Sequence, residues 1–452
     1  MFEIKIFPQK IKGKIKPMHA INNCPMRGPN MSAMHYIGEA GIPYSRLHDT
    51  GGEYGGTVFV DIDNIFTNPD ADENLPESYS FEFTDYLLKN LSEQGCMPFY
   101  RLGCSIENYR HIKPLHINPP KNPEKWARIC EHIIMHYNCG WADGYYYNIE
   151  YWEIWNEPDN EPDSSENPMW NGTAEQYYNL YTTVANYLKS RFPDIKIGGY
   201  ASCGFYEILN SCPDTSAHIS SRTEYFLEFF VGFLEHISKE KTKAPLDFFS
   251  WHSYSGIEEN IKYAEYARNM LDKYGFYKTE SIFNEWNPGI QYRGTLTDAS
   301  NIASMMLALH SYPVDMMMYY DGQIDTSYGG MFDPVSKTPF PAYYVFKAFN
   351  ILYQLGNECQ CTCKSTDRIC DSELYMLCAV ASDSGKGSNN VALMITNASD
   401  AERCVNVVLE GYIVSGMLMI DNSHMLEPEI VSEHINLEAH SSAVVLFSPE
   451  VL

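Results

Sequence analysis

Apolar positions along this chain alternate between two spacings. Short runs rich in aromatic and β-branched residues predict strands; longer stretches with apolar residues at every third or fourth position predict amphipathic helices. Residues 83–94 carry Tyr86, Leu87 and Leu91 at helical spacing, with Gly95 to stop the helix, and 97–102 then reads as a strand. The next predicted helix, 123–137, has Pro123 in its first turn, where a missing N–H costs nothing. The alternation continues with strands over 195–200, 248–254 and 316–320 and helices over 174–191, 223–239, 260–274, 301–312 and 342–355.

With a first strand near 14–20, the pattern contains eight strand–helix units. Parallel strands each require a crossover, and eight of them predict an α/β fold, a (β/α)8 TIM barrel, over residues 14–355. An open doubly wound sheet is the alternative, but no Gly-rich phosphate loop follows any strand. Beyond residue 360 the helical spacing vanishes. Short β runs at 374–380, 391–396, 405–409, 413–419 and 443–447, parted by Gly, Asn, Asp and Ser, predict a C-terminal antiparallel β-sandwich over 360–452. Residues 1–13 are expected to add a strand to it.

Two of the strands end alike. Tyr151-Trp152-Glu153-Ile154-Trp155-Asn156-Glu157-Pro158 and Ile282-Phe283-Asn284-Glu285-Trp286 each deliver Asn-Glu at a strand tip. The C-terminal strand ends of a barrel line its active-site mouth, so Glu157 and Glu285 are expected to meet there. Alternation puts Glu153, Trp155 and Glu157 on one face and Phe283 with Glu285 on another. Pro158 ends the pairing, and Glu153 lies deeper, in a polar layer of the barrel. Two carboxyl groups so placed suit cleavage of a glycosidic bond: one protonates the departing oxygen and the other traps the sugar cation. Mutual repulsion predicts an ionised nucleophile at Glu285 and a protonated acid at Glu157. Arg46 and His48 at the second strand end, and His252 and Tyr254 at the sixth, fall at matching rim positions. Arg46 is expected to hold Glu285 ionised, His48 to bind a sugar hydroxyl and Asn156 to bond the 2-hydroxyl. Trp286 and Tyr320 complete the expected substrate-binding set.

The formal net charge of -26 argues against nucleic acid and anionic membrane surfaces as partners. No apolar window reaches transmembrane length, and the opening residues lack the apolar run of a secretory leader. The 13 cysteines, an odd number without a paired framework, fit a reducing compartment, and a cytoplasmic location is expected. Cys359, Cys361 and Cys363 alternate along a predicted strand with Cys370 beyond; no histidine accompanies them, and packing is the expected role. Met316–Met318 reads as barrel wall. Arg293 reads as a solvated loop residue, with a uronide carboxylate as its alternative partner. The 14 histidines are too dispersed for a metal-dependent hydrolase, so no metal or cofactor is expected.

The Trp155-Asn156-Glu157-Pro158 stretch, Arg46-Leu47-His48, His252-Ser253-Tyr254 and Phe283-Asn284-Glu285-Trp286 together resemble glycoside hydrolase family 39. That family groups β-xylosidases and α-L-iduronidases within a clan of (β/α)8 retaining glycosidases. The resemblance covers nearly the whole chain, trailing β-sandwich included, and implies Glu157 as acid/base and Glu285 as nucleophile. Many clan members place Trp after the eighth strand as a floor for the sugar; this chain has Tyr319-Tyr320-Asp321. The expected function is a retaining exo-glycosidase acting on β-xylosides. Arabinosides, galactosides, glucosides and uronides are alternatives, as is a non-catalytic carbohydrate-binding barrel. A saccharide is the expected partner, and a homo-oligomer is compatible with an exposed β-sandwich.

Overall fold

The structure, a computed structural model, describes residues 2–26, 30–51, 59–209, 219–365, 373–381 and 390–450. Eight parallel strands close into a barrel: Ala20–Asn22, Tyr44–Leu47, Met97–Leu102, Tyr151–Ile154, Lys196–Ser202, Phe248–His252, Glu280–Trp286 and Met316–Tyr319. Closure comes from the first strand pairing with the eighth, Ala20 beside Met318 and Ile21 beside Tyr319. Helices wrap the outside, among them Pro123–Cys139, Ala174–Arg191, Ile257–Lys273 and Pro341–Leu355. Their starts are written locally. The Asn122 side chain accepts from Lys125 N ahead of Pro123, and Thr173 with Gln176 forms a reciprocal capping box.

Alternation along each strand sorts side chains into the barrel or out toward the helices. Inward-facing Ala20, Phe99, Tyr151, Phe248, Ile282, Met316 and Met318 fill the lower interior as an apolar plug, with Tyr44 packed against it. One layer higher the inward positions turn polar: Asn22, Arg46, Arg101, Glu153, Ser250 and Asn284 are all buried. Outward residues of the same strands, such as Tyr100, Trp152, Trp251 and Phe283, join the large core between barrel and helices. The interior is thus packed in layers, as small barrels require, and only its upper mouth is left for chemistry.

The remaining strands form one nine-stranded sheet in the order Met425–Pro428, Tyr412–Ile420, Ser442–Pro449, Val391–Asn397, Leu374–Ala381, Gly356–Ser365, Phe2–Lys14, Arg403–Val408, His434–Leu437. Neighbours are antiparallel except Phe2–Lys14 with Arg403–Val408. The sheet curls over an apolar core of its own, containing Ile4, Ile6, Leu393, Val405, Ile435 and Val445. Its other face supplies Ala379, Ala392, Met394 and Val444 to the barrel's core, against the helices Leu296–Leu309 and Pro341–Leu355. This is the barrel with a trailing β-sandwich that the hydropathy pattern predicts, with one correction. Lys14 belongs to the sheet, and the first barrel strand starts at Ala20. The strand Phe2–Lys14 pairs along its length with Gly356–Ser365, out to Lys14 beside Asn357, and Phe2–Lys5 also pair with Val405–Val408, which leaves only the short Ala20–Asn22 run for the barrel. No helix among the described residues is long and apolar enough to cross a membrane.

Candidate active site

The polar layer of the barrel supports the mouth from below. Arg46 Nε donates to Glu153 Oε2 at 2.8 Å, and Arg46 Nη1 donates to Asn22 Oδ1 at 3.0 Å and to Glu285 Oε2 at 3.2 Å. Its Nη2 donates to Asn156 Oδ1. Glu153 Oε1 accepts from Ser250 Oγ at 2.7 Å and Asn284 Nδ2 at 2.6 Å. A guanidinium offers a fixed planar fan of donors, so one buried Arg46 sets the positions of two carboxylates and two amides at once. Arg46 faces two carboxylates here, the deep Glu153 and the rim Glu285.

Glu157 reaches the mouth by a route that simple alternation does not describe. The strand ends at Ile154, and Trp155 (φ 73°) and Glu157 (φ 43°) adopt left-handed backbone. Trp155 consequently faces outward, its ring near Trp126 and Trp170 and its indole donating to Met169 O at 2.7 Å. The expectation that Glu153, Trp155 and Glu157 share a face is corrected: the reversed twist after Ile154 turns Trp155 into the core. Glu285 departs from alternation too. Trp251 pairs with Phe283 but His252 pairs with Glu285, so one extra residue bulges at Asn284. Phe283 stacks outward on Trp251, centroids 4.2 Å apart, while Asn284 and Glu285 both turn inward. A bulge re-aims the side chains beside it, which is why Phe283 and Glu285 occupy different faces.

These two departures bring the carboxylates together. His252 stands between them, Nδ1 2.7 Å from Glu157 Oε1 and Nε2 3.3 Å from Glu285 Oε2. One ligand atom from each of Glu157, His252 and Glu285 lies within 4.8 Å of the other two. Tyr254 donates its hydroxyl to Glu285 Oε1 at 2.7 Å, and Asn160 Nδ2 donates to Glu157 Oε2 at 2.8 Å. The side chains of Glu157 and Glu285 stay 18% and 9% exposed, open to the mouth, while Arg46 and His252 beside them are sealed.

Burial alone would disfavour charge on Glu157, but the hydrogen bond and positive charge of His252, with the Asn160 amide, hold it below the ordinary carboxylate value. Glu285 moves the other way: burial, with repulsion from Glu157, pushes it up against the pull of His252, Arg46 and Tyr254. Both directions are opposite to those that repulsion alone predicts, and His252, hydrogen-bonded to Glu157, is the cause that the sequence did not reveal.

The other rim residues divide into two groups. His48 is buried, and its desolvation, with the charge of Arg46, keeps the imidazole well below its usual value and neutral; its Nδ1 has no hydrogen-bond partner among the described residues. Tyr320 donates to Asp49 Oδ2 at 3.3 Å, and its ring lies 5.3 Å from Tyr328, which also flanks Tyr254. Trp286 is not brought to this group. It is fully buried beside Phe283 and Tyr319, where the residue after the bulge returns to the outward face. Its expected place against a substrate is corrected on that ground. Arg293 donates to Thr326 O at 3.2 Å rather than extending into solvent.

Several residues of the site carried no signal in the sequence reading. Asn160 follows Glu157 by three positions and anchors it, and is itself held by Arg222. Asp159 is fully buried, accepts from Ser202 Oγ at 2.9 Å and from Cys203 N, and is raised to about 7 by burial and the charge of Glu157. Asp49 and Asp321 are raised to about 7 as well, chiefly by burial. Glu157, His252 and Glu285 form the group of ligand atoms able to hold a metal ion among the described residues. An ion there would have to replace the hydrogen bond between His252 and Glu157, and Arg46 already supplies a cation to Glu285.

The model of the Glycosyl hydrolases family 39 matches residues 53–374 of the chain. A beta-xylosidase of Caldicellulosiruptor saccharolyticus is 24% identical over 358 residues, 71% of this chain and 63% of its own. A beta-xylosidase of Geobacillus stearothermophilus is 23% identical over 226 residues, 48% of this chain and 39% of its own. The chain thus spans less than two thirds of the length of either curated relative. Among solved structures, a glucosidase from Croceicoccus marinus matches with a TM-score of 0.76 at 17% identity over 100% of both chains. A monomeric beta-xylosidase from Caulobacter crescentus matches with a TM-score of 0.66 at 15% identity, covering 99% of this chain and 100% of its own. These likenesses are to the fold. With the family model extending over most of the barrel and through both glutamate strands, the chain belongs to glycosyl hydrolase family 39.

Proposed function

We propose that the chain hydrolyses glycosides with retention at the anomeric carbon, Glu285 acting as nucleophile and Glu157 as acid and then base. The approach of the two carboxylates to within 4.8 Å at the barrel mouth is the main support. Retaining enzymes hold their carboxyl groups about 5–5.5 Å apart, whereas inverting ones leave about 6.5–9.5 Å for a water. In the first step a Glu285 oxygen attacks the anomeric carbon, the bond to the leaving oxygen breaks, and Glu157 gives that oxygen its proton. Water then cleaves the glycosyl ester while Glu157 takes up a proton. Arg46 and Tyr254, both bonded to Glu285, favour its ionised form before attack and its departure afterwards.

The 2.7 Å contact between His252 Nδ1 and Glu157 Oε1 ties the acid/base carboxyl to a side chain that also lies 3.3 Å from Glu285, so the two carboxyl groups share one imidazole as neighbour.

A terminal β-xyloside is the substrate we infer, in keeping with the activity named for the two curated relatives. Neutral His48 and the Asn156 amide are the groups we assign to the sugar hydroxyls, with Tyr320 as the aromatic wall. The test is turnover of nitrophenyl β-xyloside beside the glucoside, galactoside, arabinoside and uronide. Glu157→Ala and Glu285→Ala should each lower kcat by about 10²–10⁴-fold or more. Azide should restore Glu285→Ala with an inverted glycosyl azide, and Glu157→Ala should retain more activity on good leaving groups. Full activity in either variant would defeat the role assigned to it.

A further inference from the structure

The alternating cysteines near residue 360 acquire a partner that their spacing does not disclose. Gly356–Ser365 and Leu374–Ala381 are antiparallel neighbours, with Asn357 opposite Val380 and Glu358 opposite Ala379. One step further along the same register sets Cys359 opposite Cys378. Both side chains point into the sandwich core, 1% and 0% exposed, and both join the same apolar cluster. Directly opposed antiparallel residues have Cα atoms about 4.5–5.5 Å apart, inside the range of about 4.4–6.8 Å that a disulfide spans. Cys361, two residues on, shares the face and is half-buried.

We propose that Cys359 and Cys378 form a reversible oxidation site, a cross-strand dithiol that closes to a disulfide with a peroxide as oxidant. The pair is chemically unsymmetrical. Cys359 lies on the strand that leads to half-buried Cys361 and exposed Cys363, whereas Cys378 stands between buried Leu377 and Ala379, and we assign Cys359 as the attacking sulfur. Its neighbour Cys378 lowers the Cys359 thiol, while burial raises that of Cys378. Its sulfur attacks one peroxide oxygen, the O–O bond breaks, and one water leaves with a sulfenic acid on Cys359. The Cys378 sulfur then attacks Cys359, and the hydroxyl leaves as a second water with the remaining thiol proton. Two thiols and one hydrogen peroxide give one disulfide and two waters. A small uncharged oxidant suits a site that lies inside the sheet's apolar core.

The test is hydrogen peroxide treatment of the full chain, then alkylation in denaturant and peptide mapping without reductant. Cys139 and Cys363, both exposed, report that oxidant was present. The expected result is a loss of two thiols in one cross-link joining Cys359 to Cys378, reversed by dithiothreitol and unchanged in Cys361→Ser and Cys363→Ser. Cys378→Ser should leave a sulfenic acid on Cys359 that dimedone captures, and the oxidised wild type should melt a few degrees above the reduced form. A bond from Cys361 to Cys363 in place of this one would overturn the proposal. So would Cys359 and Cys378 both remaining alkylatable after the exposed thiols have been consumed.

Discussion

Removing the Arg46 guanidinium would leave Glu153 and Glu285 buried without their shared cation. Breaking a buried pair from one side costs about 3–5 kcal/mol, so Arg46→Met should lose about that much in chemical unfolding at pH 7. A loss below about 1 kcal/mol would show that the layer relaxes around the gap. Arg46→Lys restores charge but not the planar fan, and should recover only part of it. The buried aspartates make a second prediction. Asp49, Asp159, Asp298 and Asp321 sit at about 7 when folded, against an ordinary value of 3.8. The folded state then binds more protons than the unfolded one between those values, and stability must fall as pH rises through that window. Glu157, held low, acts in the opposite sense. Melting temperature followed from pH 4 to 8 should decline on the alkaline side of about 4, and Asp159→Asn should flatten the decline. An unchanged slope in that variant would mean Asp159 is already ionised in the fold. Glu157, Glu285, Arg46 and His252 could be named from strand-end position alone. Asp159 and Asn160 could not, because a buried acid and a loop amide look like ordinary polar residues until the chain closes over them.

At the level of elements, the strand Lys196–Ser202 depends on a residue with no side chain. A Cβ on Gly198 would lie 2.1 Å from the Phe248 carbonyl oxygen and 2.6 Å from its ring. Phe248 belongs to the apolar plug and cannot withdraw, so Gly198→Ala should lower stability by about 3 kcal/mol in denaturant unfolding. A neutral result would require the fifth and sixth strands to part without cost. Most helices and strands were legible because each carries its own period and its own stop signal, as Ala174–Arg191 does with its capping box. The turn at Trp155–Glu157 and the bulge at Asn284 were not. Their sequences are compatible with plain strand, and only the neighbouring strands decide where pairing fails.

At the level of the whole molecule, the sheet completes the barrel's core. Alternate residues of Val391–Asn397 serve the two sides: Val391, Leu393 and Ile395 face the sheet's own core, while Ala392 and Met394 face the barrel helices. A chain ending at residue 355 would leave Leu296–Leu309 and Pro341–Leu355 with an uncovered apolar face. It should aggregate or melt well below the full chain, as size-exclusion chromatography and thermal unfolding would show; a stable monomer would contradict the shared core. Sequence by itself determined the eightfold alternation, the trailing β region and the two Asn-Glu endings, because hydrophobic period and strand-end identity are local properties. Tertiary structure alone decided that His252 bridges the carboxylates, that Trp286 is withdrawn from the mouth and that Glu157 is held down while Glu285 is pushed up. Those outcomes depend on which groups distant strands place within hydrogen-bonding distance, and on how far burial removes water from them.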